Sequence, residues 1–229
     1  MDKVALLVGN SDGIGLAMTR RLLERGWTVH GISRSPSPVN HASCTHLAMS
    51  VSDPAYPAEV NRIAATTRPS LCIYCAGIGL KLDVGSMERE LSVFDVNLMG
   101  MIRTFAAVVP GMIQRNGGHF IGISSLADEL NDHGHPSYSA SKAGFTRYLE
   151  SIAPAMRRRG VAVTNVRFGF VRTKMPEGDR LPFIMTVERA ADHLERCMSR
   201  RPVRYSTPKI MVPMVKLARV VLFFRHLFG

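Results

Sequence analysis

The chain has 229 residues, 46% of them hydrophobic, and a mean hydropathy of +0.05, which excludes a disordered polymer and suits one α/β domain or two small ones. No repeat of fixed period divides it. The formal charge of +11 directs attention to anionic partners.

From the N-terminus, short apolar runs alternate with longer stretches of helical periodicity. Residues 3–8 read as a strand, and 14–25 as a helix with Ile14, Ala17, Met18 and Leu22 on one face. A second strand at 28–32 is followed by a Pro/Ser-rich loop, SRSPSPVNHAS. A third strand is expected at 46–49, a helix at 54–67 and a strand at 71–75. Residues 86–114 read as one helix with Pro110 near its end. Beyond it come a strand at 119–124, a helix at 137–158, a strand at 161–166 and a helix at 187–199. A last helix is expected from residue 212. This alternation predicts a Rossmann-like, doubly wound parallel sheet with helices on both faces and right-handed connections. No linker splits the chain, so one domain is expected over 1–210, followed by a basic, apolar, helical tail over 211–229.

The charge is unevenly placed. Residues 1–154 hold 13 Lys/Arg against 13 Asp/Glu, whereas residues 155–229 hold 16 against 5. From residue 196 onward there are eight basic residues and no acid. Such a block reads either as a surface for something anionic (a membrane face, nucleic acid, an acidic carrier or substrate) or as a solvated basic face. Cys72 and Cys75 form a C-x-x-C, but within LCIYCAG, an expected strand. Side chains alternate along a strand, so an i, i+3 pair points to opposite faces. Separate buried thiols are therefore expected, with neither a disulfide nor a metal site. The apolar run at 4–8 is too short for a secretory signal. The run at 220–224 falls far below the ~20 residues of a spanning helix, so a cytoplasmic protein is expected.

Directly after the first strand comes VGNSDGIG, with Gly9, Gly13 and Gly15 ahead of a helix. Glycine permits the tight turn and lets backbone N–H groups approach a phosphate at the helix N-terminus. The first gap is wider than in the common dinucleotide fingerprint, and a purely structural turn is the competing account. An NAD site of this architecture places an acid about 20 residues on. Here no acid lies between Glu24 and Asp53, and ISRS supplies Arg34 between Ser33 and Ser35. An acid repels a 2′-phosphate and an arginine binds it, so NADP(H) is favoured over NAD(H).

The stretch HPSYSASKAG places Tyr138 four residues before Lys142 among small residues, a pattern that also suits a closely packed helix face. Together with the glycine turn it gains a second meaning. To about residue 210 the chain resembles the short-chain dehydrogenase/reductase family. The matching pieces, in order, are GNSDGIG (9–15), CAG (75–77), Asn97 in FDVNLMG, the serines of ISSLAD (123–128), YSASK (138–142) and VRFGFVRTKM (166–175).

The resemblance implies a catalytic set of Ser125, Tyr138, Lys142 and Asn97, with Ser125 rather than Ser124 as the serine. Tyr138 exchanges a proton with the substrate oxygen, Ser125 hydrogen-bonds that oxygen, and Asn97 orders a proton route. Lys142, at i+4 on the same helix face, is expected to lower the tyrosine pKa by its charge. Around the cofactor the resemblance implies Gly9, Ser11, Gly13, Ile14 and Gly15 at the phosphates, Arg34 at the 2′-phosphate and Val51 at the adenine. It further implies Cys75, Ala76 and Gly77 under the adenosine ribose, and Tyr138 and Lys142 at the nicotinamide ribose. Gly169, Val171 and Thr173 then fall on the nicotinamide side. Three positions depart from the family pattern: Tyr74 or Cys75 where asparagine is frequent, Phe168 where proline is usual, and Ser50 where aspartate often stands.

An NADP-dependent carbonyl reductase, or an alcohol dehydrogenase in reverse, is the leading expectation, with a homodimeric enzyme acting on a small carbonyl or alcohol. A nucleotide-binding regulatory or scaffold protein of the same fold is the alternative. Nucleic acid ranks last, for want of a recognition motif. KMPEGDRLPFIM, at 174–185, is expected to border an open substrate pocket that leans toward lipophilic carbonyls, and His133 and His135 to stand in a loop beside it or in solvent. The tail leaves two accounts open: an anionic membrane surface, which would place the protein at the inner membrane face, or packing on its own domain or a second subunit. As a helix it sets Lys216 and Arg219 about 60° apart, with Arg225 about 180° from Lys216.

Overall fold

The computed structural model describes residues 2–173 and 183–228, with side chains through Val221. Strand β1 (Val4–Val8) leads through the glycine turn into α1 (Gly13–Glu24). β2 (Thr28–Ser33) and β3 (Cys44–Ala48) precede α2 (Tyr56–Thr67), and β4 (Leu71–Tyr74) precedes α3 (Glu88–Phe94). A π-helical turn (Asp95–Met99) joins α3 to α4 (Gly100–Gln114). β5 (Gly118–Ser125) ends in a 3₁₀ turn (Leu126–Glu129), followed by α5 (Pro136–Arg157), β6 (Val161–Phe168) and α6 (Val187–Arg200). β7 (Arg204–Thr207) and α7 (Met211–Phe228) complete the chain.

The seven strands form one parallel sheet in the order β3-β2-β1-β4-β5-β6-β7. β1 is central and buried on both faces, so VALLV is continuously apolar rather than alternating. Its side chains divide between two cores. Leu6 and Val8 join Cys72, Tyr74 and Phe120 on one face; Ala5 and Leu7 join Ile73, Ile121 and Val166 on the other. The strand order runs outward in both directions from the β1/β4 pair. That reversal opens a crevice at their C-terminal ends, where this architecture binds ligands.

Several expectations are revised. The sequence reading missed β7, a four-residue edge strand of sequence RYST, because a short, mostly polar tetrapeptide carries no apolar signature. The helix expected at 86–114 is interrupted by the π turn around Asn97. That same helical run, from residue 88 to 114, is long and apolar enough to cross a membrane by composition, which the search for spans in the sequence missed. Half of it is buried against the sheet, as in a core helix. The tail is docked at its start: Met211 and Val215 pack on Leu126, with Leu130 and Phe170 beside them. Cys72 and Cys75 fall on opposite faces of the sheet as expected, and all four cysteines are free thiols.

Candidate active site

At the C-terminal end of β1 the chain turns through Gly9, whose φ of +89° suits glycine. A Cβ there would lie 2.6 Å from the Ala76 backbone nitrogen, so the turn after β1 and the loop after β4 touch backbone to backbone. Gly15 is packed against the Gly9 carbonyl with no room for a side chain. Gly13, at φ +51°, faces Thr173, whose Cγ2 lies 3.3 Å from where a Cβ would stand. Asp12 caps α1 by accepting the Gly13 N–H at 2.8 Å. Ser11 and Ile14 are half-buried at the same turn. A backbone cradle without side chains at the N-terminus of a 12-residue helix fits a dinucleotide phosphate.

Arg34 and Ser35 are exposed just past β2. Behind them sits a polar brace that sequence reasoning missed. Asn10, fully buried, accepts from the Ser33 hydroxyl at 3.3 Å, and the His46 ring lies between Asn10 Oδ1 (3.0 Å) and the Ser35 carbonyl (3.1 Å). Gly31 leaves the space that Asn10 fills. Burial lowers the His46 pKa, and the ring links the turn after β1 to the backbone on which Arg34 stands. Only the expected position of Asn10 within a glycine turn hinted at it; its partners come from two other strands.

Val51, the residue expected at the adenine, is 4% exposed and packs where Gly100 leaves room. The structure thus gives it a core contact, with its side chain turned from solvent. Tyr74, at a position where the family often differs, is fully buried and donates to the Val96 carbonyl at 2.6 Å. It thereby ties β4 to the π turn.

Asn97 sits in that turn, and a π turn rotates the side chain away from the regular helical register. Its Nδ2 donates to the Ile78 carbonyl (2.9 Å) and to Ser141 Oγ (3.0 Å), and its Oδ1 accepts the Ile78 N–H (2.8 Å). One side chain therefore clamps the loop after Gly77 to α5. Gly77 lies against both Asn97 and the Lys142 ammonium: a Cβ there would be 3.4 Å from Asn97 Oδ1 and 3.5 Å from Lys142 Nζ.

Ser124 and Ser125 are separated by strand alternation. Ser124 is buried, with its hydroxyl 2.9 Å from that of Thr146 and 3.3 Å from the Lys142 carbonyl. Ser125 is half-buried; its hydroxyl accepts the Ala127 N–H at 3.1 Å and stands close enough to the Tyr138 phenol to lower its pKa. The serine that meets the tyrosine is Ser125.

Lys142 is 5% exposed and donates from Nζ to the Ile123 carbonyl at 2.9 Å. Its ammonium lies 5.8 Å from the Tyr138 ring centroid. Burial lowers its pKa to about 8, against the opposing pull of Cys75 and Asp128. The expectation for Tyr138 is corrected here. Burial raises the phenol pKa, the nearby Ser125 hydroxyl lowers it, and Asp128 raises it. The i+4 spacing puts the lysine on the same side of the helix, but burial is the largest influence on the phenol and the lysine's donor is aimed at the Ile123 carbonyl.

On the nicotinamide side, Gly169 donates its N–H to the Thr207 carbonyl at 2.8 Å, and a Cβ there would lie 2.8 Å from Met211 Sδ. Its bareness admits β7 and α7. Val171 is buried and bridges to Met185, and Thr173 meets the glycine turn through Gly13. Residues 174–182 of the expected substrate border lie outside the described residues. His133 and His135 are exposed, and His135 approaches Asp132 at 3.3 Å.

A second charged centre stands behind the serine. Arg167 is 1% exposed, donates to Asp128 through Nε (2.6 Å) and Nη2, and reaches Glu129 at 3.0 Å. Asp128 also accepts from Thr146 at 2.6 Å. Sequence reasoning passed over both residues, since they pair across 39 positions. A cleft of about 550 Å³ opens beside them, lined by Asp128, Ser139, Ala143 and Arg147. These α5 residues lie about 60° to 180° around the helix from Tyr138 and Lys142.

Comparison with known proteins bears on the fold and the family. A sequence profile described as "short chain dehydrogenase" matches residues 3–181. An uncharacterized oxidoreductase of Myxococcus xanthus is 28% identical over 96% of this chain and 92% of its own length. Carbonyl reductase family member 4 of Xenopus laevis is 31% identical over 76% of this chain and 78% of its own. A crystal structure of a short chain dehydrogenase from Burkholderia cenocepacia, in complex with NADP, superposes with a TM-score of 0.85 at 22% identity. It covers 100% of this chain and 98% of that one.

Proposed function

The chain belongs to the short-chain dehydrogenase family of oxidoreductases, and on that premise we propose that it is an NADP(H)-dependent enzyme interconverting a carbonyl and a secondary alcohol. The observation that carries the reading is the convergence of Ser125, Tyr138 and Lys142: the Lys142 ammonium lies 5.8 Å from the Tyr138 ring centroid, and the Ser125 hydroxyl is close enough to the phenol to lower its pKa. A scaffold needs no acid placed beside a buried, unpaired cation.

The glycine turn at 9–15 would hold the pyrophosphate and Arg34 the 2′-phosphate; the NADP bound by the Burkholderia protein supports that choice. When bound, the nicotinamide supplies or takes the hydride. Tyr138 gives its phenolic proton to the substrate oxygen, which leaves the alcohol and a phenolate. Ser125 donates a hydrogen bond to that oxygen as charge builds on it. Lys142 favours the transient phenolate by its charge. Asn97 fixes the Ile78 backbone and Ser141 next to this group, and so keeps a polar route along which the phenolate regains a proton. Burial raises the Tyr138 pKa; the protonated phenol serves carbonyl reduction, and the phenolate serves the reverse oxidation.

The test is NADPH consumption over a panel of ketones and aldehydes graded in length and polarity. Turnover with one or more members is the expected result. NADPH binding without oxidation by any member would leave a nucleotide-binding protein that does not turn over.

A further inference from the structure

Helix α7 has two faces with opposite fates. Met211 and Val215, 6% and 8% exposed, face the domain and pack with Leu126. Arg219, one turn further along the same side, reaches Glu129 at 3.5 Å. At about 100° per residue, Met214, Leu217 and Val221 fall within about 60° of one another, on a line roughly 130° away from the docked face, and Ile210 stands in the turn just before the helix. In that order these four are 49%, 66%, 57% and 57% exposed. Through Val221 the stripe faces away from the docked side, and these residues are exposed among the described residues.

Its flank is cationic. Lys209 and Lys216 are exposed; Lys216 lies about 130° from the stripe on the flank away from the docked face, and Lys209 stands in the turn that leads into the helix. Val220, half exposed, fills the arc between Lys216 and the stripe. From residue 196 to the end of the chain there is no acid to offset them.

We propose that this face of α7 rests on an anionic lipid bilayer, with the aliphatic stripe in the interfacial region and the two lysines reaching phosphate headgroups beside it. The geometry is that of a helix lying in the membrane plane: an apolar line downward, cations at its edge with long stems that reach the headgroups, and the protein on the other side. A second copy of the chain fits less well. A two-fold contact would bring the stripe's lysines against their own symmetry mates with no carboxylate between them. Nucleic acid offers phosphates but nothing to cover four aliphatic side chains. The proposal does not depend on the enzyme's substrate or cofactor.

The experiment is co-sedimentation of the full chain with phosphatidylcholine vesicles, with and without one third phosphatidylglycerol, at low and high salt. The full chain should sediment with the anionic vesicles, release with salt and leave neutral vesicles unbound. Leu217→Glu with Val221→Glu should weaken the partition by about tenfold or more, and Lys209→Glu with Lys216→Glu should do the same. All four positions are exposed, so the thermal unfolding of each variant should match the parent. Absence of partition, equal partition into both vesicle types, or variants that bind like the parent would overturn the proposal. So would a dimer in sizing experiments that Leu217→Glu converts to a monomer, since the stripe would then be a subunit contact.

Discussion

Two cations are buried within a few residues of the catalytic serine, and they are treated in opposite ways. Arg167, on β6, is enclosed by Asp128, Glu129 and Ser206, with its partner carboxylate 2% exposed. Lys142, on α5, is nearly as buried, but its hydrogen-bond acceptor is a neutral carbonyl. The arginine is compensated and its charge is permanent. The lysine is uncompensated, and its pKa falls to about 8 under burial. A paired buried cation builds the wall of a site; an unpaired one is held ready for an anion that arrives, whether a phenolate or the polar edge of a cofactor.

Substituting the two cations separates these roles. Lys142→Met removes a buried charge without stranding a partner. It should leave the melting temperature level or higher, while kcat falls by roughly 10² to 10⁴. Arg167→Met strands Asp128 as a buried carboxylate and should destabilise the fold by about 3–5 kcal/mol. Adding Asp128→Leu should recover much of that loss. Equal destabilisation by the two single variants in a chemical unfolding series would erase the distinction.

The next effect concerns the other end of the cofactor. Arg34→Ala should raise the Kd for NADPH about tenfold or more and leave that for NADH nearly unchanged. Isothermal titration of both cofactors reads the ratio; a parallel loss for both would mean that Arg34 does not meet the 2′-phosphate. The smallest effect is a pH limb. Lys142 carries its charge below about pH 8 and loses it above, so kcat/KM, which reports the free enzyme, should decline as pH rises past that point. A profile flat to high pH would contradict a depressed lysine.

The motifs with glycine, serine, tyrosine and lysine at fixed spacing were legible because each answers a local demand: a positive φ at Gly9 and Gly13, a helical turn between Tyr138 and Lys142, an alternating strand that separates Ser124 from Ser125. Four features were not. β7 is polar and four residues long. The π turn that aims Asn97 has no compositional mark in FDVNLM. Arg167 reads as a surface residue until Asp128, distant in sequence, is placed beside it. The sign of the Tyr138 shift depends on burial, which spacing alone does not report. Local geometry is written in short stretches; desolvation and long-range pairing appear only once the sheet has assembled.

The central claim is that Tyr138 is the proton donor to a carbonyl. The direct test is Tyr138→Phe, measured beside the parent in NADPH oxidation with whichever carbonyl the parent turns over, together with NADPH affinity and thermal unfolding of both. The account predicts a fall in kcat of about 10² to 10⁴ with NADPH binding and stability retained. A variant that keeps most of the parent's turnover would contradict it.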